Sequence, residues 1–190
     1  MHPKLKMTMS KKIDYFFKAL NVLSWIIFIG LCIEAGALIV NTIFILTQSP
    51  DITAKMWNEV DLSVLYRTNQ THFITLSSHM IIVAVLKALM FYLIVKIFHD
   101  KSFNLSQPFN ETVRRFIARI AYLALGIGFF AIWAARYTEN LVEEGIQMPG
   151  LNQLRLGGAD VWLFMGVILL VVAQIFKKGI EIQTENDLTV

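Results

Sequence analysis

Four apolar runs, at about 21–46, 73–98, 117–135 and 158–176, constrain this chain more than any other feature. A helix rises ~1.5 Å per residue, so ~20 apolar residues reach across ~30 Å of hydrocarbon. In lipid every backbone amide must find its partner within the segment or in a closed barrel. The runs lack the every-second-residue alternation of barrel strands, so helices are the spanning element. With 56% of its 190 residues hydrophobic and only 16% charged, the chain has no soluble-domain composition to spend elsewhere. The expected fold is all-α: a four-transmembrane-helix bundle forming one membrane domain.

Lysine and arginine set the orientation. The amino-terminal segment, the 99–116 loop and the 177–190 tail, with the adjoining run ends, hold twelve of them, whereas the 47–72 and 136–157 loops hold four: Lys55, Arg67, Arg136 and Arg155. Cytoplasmic loops carry the excess of basic residues, so both termini are expected in the cytoplasm of a bacterial inner membrane. A cleaved signal peptide is the alternative for the first run, because Ala35-Gly36-Ala37 has the small-x-small pattern. The apolar run continues from Leu38 to Leu46, which favours a retained span.

The connecting segments carry their own signals. "KKIDYFFKAL" reads either as an interfacial helix or as an extension of the first span. In the 47–72 loop, Met56, Trp57, Val60, Leu62, Val64, Leu65 and Tyr66 are too apolar for a loose tether and predict a short packed amphipathic segment. Asn110, Glu111 and Thr112 are helix-starting residues, which places the start of the third helix ahead of its span.

Two charges interrupt the apolar runs. Glu34 lies mid-way through the first and Lys87 mid-way through the second. Gly30, Glu34, Ala37 and Asn41 share one helical stripe, so Glu34 and Asn41 are expected to face a neighbour. The fifteen Leu, Ile, Val and Phe residues of the first run contribute roughly −7 kcal/mol to insertion, and a lone central charge costs about 3. Insertion therefore tolerates Glu34, but packing demands that it be paired or neutralised. Antiparallel neighbours put Lys87 at the same depth, which makes an ion pair between Glu34 and Lys87 the expectation. The competing use of Glu34 is as a proton- or cation-coupling carboxylate.

The third run carries Ala121, Ala124, Gly128, Ala131 and Ala135 at spacings of three and four, a face that permits close helix packing or dimerisation into a homo-oligomer. No nucleophile–base pair, phosphate-binding loop or pair of catalytic carboxylates is visible, so no enzymatic activity is expected. Of the four runs only the second has histidines in it or at its ends, at positions 72, 79 and 99, so no metal or other cofactor is expected. No basic stretch comes with stacking aromatics, which argues against direct nucleic-acid binding. The single cysteine, Cys32, permits no intramolecular disulfide. Membrane lipid is the partner that the composition itself implies.

Pro108-Phe109 before the third run and the closing "IFKKGIEIQTENDLTV" carry a resemblance. Together with the four-span layout, they resemble the family of small prokaryotic membrane proteins catalogued as domain of unknown function 2975. Its closing pattern is a phenylalanine, basic residues and a glycine, then Glu-Asn-Asp-Leu-Thr. The resemblance implies a non-enzymatic membrane partner that binds or sequesters a small Cro-like helix-turn-helix regulator. It makes Glu185, Asn186, Asp187, Leu188 and Thr189 the candidate contact residues. A small transporter using Glu34, or a structural subunit of a membrane complex, are the other function classes open to such a chain.

Overall fold

The computed structural model describes residues 3–47, 62–99 and 109–187. These segments hold α1 (Pro3–Thr47), α2 (Ser63–Thr68), α3 (Gln70–His99), α4 (Glu111–Glu143) and α5 (Ala159–Asp187). All but α2 contain stretches long and apolar enough to cross a membrane. The described chain is all-α and has the architecture of a multi-pass membrane protein.

Helix boundaries follow local chemistry. At the start of α4, the Asn110 side chain accepts a hydrogen bond from the Val113 N–H at 2.9 Å, satisfying one of the orphan donors of the first turn. Glu111 sits in that turn and binds both Arg114 and Arg115. The same helix ends at Gly145, whose φ of 85° suits glycine. Gly145 N–H donates to Val142 and Ile146 N–H to Leu141, each at 3.0 Å, which closes a Schellman motif.

Three helices run well past their expected spans, and α3 exceeds its own by only a few residues. α1 is unbroken from Pro3, so the basic amino-terminal segment extends the first span. α4 continues past Ala135 because Thr138 and Leu141 prolong its buried face. α5 runs through Lys177 and Lys178 to Asp187. A Lys178–Glu181 pair at 3.2 Å supports this extension one turn along the helix. Residues 177–187 are therefore helix continuous with the fourth span. Of the apolar residues expected to pack in the first long loop, Leu62 and Leu65 are buried and Tyr66 stacks edge-on to Phe73, but Val64 is exposed. Met56, Trp57 and Val60 lie outside the described residues.

Packing is sequential: α1 lies on α3, α3 on α4 and α4 on α5, with α2 capping α3. In the most apolar windows of α1 and α5 only 11% of residues are buried, against 28% and 33% in α3 and α4. α1 and α5 are thus the edges of an open layer, and the expected bundle is not a closed one. The α4–α5 seam is the tightest. A Cβ on Gly128 would collide with Leu163, and one on Gly166 would collide with Leu125, so both glycines are required for the approach. Ala121, Ala124, Gly128 and Ala131 are buried and Ala135 half-buried. This small-residue face is taken up by α5 of the same chain, which removes it as a free dimerisation surface.

Candidate functional site: the Glu34, Lys87 and Arg155 cluster

The loop between α4 and α5 folds back onto the helices. Leu154 and Leu156 plug into the core, 0% and 1% exposed. Arg155, held between them, is turned to the opposite side. The Leu156 N–H donates to Leu151 at 2.9 Å and the Arg155 N–H to Asn152 at 3.1 Å, a second Schellman motif. Here the left-handed position, φ 59°, is filled by Arg155 and not by glycine. That choice costs about 1–2 kcal/mol of backbone energy. Strain of this kind persists where the surroundings over-determine it.

Arg155 joins the two mid-helix charges. Its Nε lies 4.0 Å from a carboxylate oxygen of Glu34. The Lys87 Nζ donates to the Arg155 backbone carbonyl at 3.1 Å and stands 5.9 Å from the centre of the Trp162 ring. Glu34 attracts Lys87 through space and Arg155 repels it. The expected Glu34–Lys87 pair is thus replaced by a relay in which Arg155 makes the closest ion contact. The long Lys87 side chain turns toward Trp162 of α5, while the loop residue Arg155 reaches Glu34. At 4.0 Å the Glu34–Arg155 contact is well beyond the 2.7–2.9 Å of a charge-assisted hydrogen bond. The cluster is therefore loosely closed, with Glu34 28% and Arg155 53% exposed at their side chains.

The rest of the inward stripe is mixed. Glu34, Ala37 and Asn41 are half-buried, but Gly30 is exposed, and among the described residues nothing lies within 4 Å of the position of its Cβ. Asn41, Thr42 and Ser77 line a cavity of about 10 Å³ between α1 and α3, roughly the room for one water molecule.

A second polar group sits in the α3–α4 seam. His72 Nδ1 and the Tyr137 hydroxyl share a 2.6 Å hydrogen bond, and His79 donates its Nδ1–H to the Thr75 carbonyl at 2.7 Å. His79 is buried, packed edge-on at 5.1 Å against Trp133. Among the described residues no three metal-ligating side chains converge.

The two sequence motifs behind the resemblance meet in space. Phe109 packs on Phe176 with ring centres 5.3 Å apart, and its ring occupies the place a Cβ on Gly179 would take. The glycine in "FKKG" is thus the seat of the Phe109 ring. Beyond it Glu185 and Asn186 are exposed on the last turns of α5 and Asp187 ends the helix. Leu188 and Thr189 lie outside the described residues.

Residues 45–190 match the family described as Protein of unknown function (DUF2975). The chain belongs to that family. The match takes in Lys87, Arg155, Phe109, Phe176 and Gly179, while Glu34 falls ahead of it. No curated protein and no solved structure matches the chain.

Sequence reasoning reached Glu34 and Lys87 and missed Arg155 and Trp162. Arg155 lies in an aperiodic loop whose turn signal, Gly157-Gly158, comes two residues later than the left-handed residue itself. No periodicity could have aimed it at α1.

Proposed function

We propose that this DUF2975 protein is a non-enzymatic membrane partner of a small helix-turn-helix regulator, with α5 as the element that links the charge cluster to the docking end. One observation carries the reading: α5 is a single helix from Ala159 to Asp187. At ~1.5 Å per residue it is a rod of about 43 Å. Its first turn places Trp162 against Lys87, and its last turns present Glu181, Glu185 and Asn186. Between these ends Phe109 grips it at Gly179. A change in the cluster alters the surface beyond this grip, a shift between two packings with different affinity for the partner. The basic-residue asymmetry puts the docking end in the cytoplasm of a bacterial inner membrane.

The test co-expresses the full-length protein in native membranes with a small Cro-like helix-turn-helix regulator. Truncation after Thr184 is expected to abolish co-purification while the helices still insert. Undiminished co-purification of the truncated form would remove the docking role of the 185–189 segment.

A second reading, small proton- or cation-coupled transport, draws on Glu34 being half-buried beside two cations. It requires flux by the unmutated protein in liposomes under an imposed gradient, reduced by Glu34→Gln. The absence of flux in that assay eliminates it.

A further inference from the structure

We propose that the α4–α5 seam holds one phospholipid whose headgroup carries a primary ammonium. Because α5 begins opposite Gly128, the last turns of α4 rise past its first turn and leave a step. The step is an open groove of about 360 Å³ lined by Phe129, Ile132, Trp133, Leu163 and Arg136, a volume in the ~300–1,000 Å³ range of small-molecule sites. Four of these five residues are apolar, and Phe129 and Trp133 stand more than half exposed. That suits the groove to an acyl chain.

The charged rim selects the headgroup. Arg115 and Arg136 lie 21 residues apart on α4, ~31 Å at 1.5 Å per residue, which matches the ~30 Å hydrocarbon core. Arg136 thus stands at the level of a lipid phosphate when α4 spans the membrane. It is exposed, and among the described residues no side chain pairs with it. Arginine provides several donors for a phosphate. One and two turns further on, Glu139 and Glu143 are exposed on the same side of the helix. An arginine followed outward by carboxylates complements a phosphate followed outward by an ammonium. A net-anionic headgroup meets the same carboxylates as like charges.

The test incubates full-length protein in detergent with equimolar phosphatidylethanolamine and phosphatidylglycerol, and counts retained lipid by native mass spectrometry. The expected result is about threefold more of the ethanolamine lipid, the size an exposed ion pair supports. Arg136→Gln lowers retention of both lipids several-fold. The double change Glu139→Gln with Glu143→Gln brings the ratio to about one and leaves total retention unchanged. Equal or greater retention of phosphatidylglycerol by the unmutated protein overturns the proposal, as does full retention by Arg136→Gln. All three positions are exposed, so each variant retains the packed layer.

Discussion

The two ends of α5 are held in opposite ways. At its start, Trp162 faces Lys87, which reaches the Arg155 carbonyl, and Arg155 stands 4.0 Å from Glu34. This end is polar and half-exposed, and it depends on a loop residue in the left-handed region. Toward the far end Phe109 is wedged against Phe176 over a glycine that admits no side chain. The aromatic seat is short-range and has one arrangement, because interiors packed to van der Waals contact do not deform continuously. The charge relay involves long side chains, a long ion contact and a single backbone acceptor, so small displacements cost it little. The first turns of α5 also pack closely on α4 through Leu163 and Gly166, so the part of this end that can rearrange is the charge relay and not the seat of the helix.

The strongest way to break this comparison is at the tight end. Gly179→Val is expected to push the Phe109 ring aside and destabilise the protein by about 2 kcal/mol. It should read out as a lowered melting temperature in detergent. Next in size is the loose end. Lys87→Met removes the donor to the Arg155 carbonyl, an expected loss of about 1 kcal/mol. Hydrogen exchange should then accelerate in residues 150–158 and remain unchanged around Gly179. Acceleration at both ends would mean that they are not independently held.

Smaller effects sharpen the contrast. Tyr137→Phe deletes the hydrogen bond to His72 within the α3–α4 seam, for about 0.6 kcal/mol, the average for such bonds between membrane helices. It is expected to leave exchange in 150–158 untouched, because the His72–Tyr137 bond shares no partner with the Lys87–Arg155 bond or the Arg155–Glu34 contact. Smallest is Arg155→Gly, which trades an exposed ion contact of about 0.2–1 kcal/mol for release of the left-handed penalty of about 1–2 kcal/mol. Thermal stability should rise by about 0.5 kcal/mol while coupling between cluster and docking end is lost. A fall greater than that would show that the Glu34–Arg155 contact outweighs the backbone strain.

Much of this was legible beforehand for definite reasons. The apolar runs are long enough that insertion energetics dictate four spanning helices even with a charge inside two of them. Asn110-Glu111 announced the start of α4 through capping chemistry. Glu34 and Lys87 stood out because a charge in an apolar run needs an explanation. The stripe through Ala121, Ala124, Gly128 and Ala131 was recognised as a packing face, but its partner was not, since small residues advertise closeness without naming the neighbour. The path of the 144–158 loop, the aim of Arg155 and the step beside Arg136 gave no periodic signal at all.

The sequence by itself determined the helices, their order and the placement of one acid and one base at similar depth, because these follow from hydrophobicity and helical pitch, which are local. Only the tertiary structure decided that the layer is open, that Arg155 stands between Glu34 and Lys87, and that Phe109, just ahead of α4, rests on Gly179 of α5. Each of these depends on where a loop returns or which helices become neighbours. Such contacts join residues far apart in the chain, and they are set by the packing of the whole molecule.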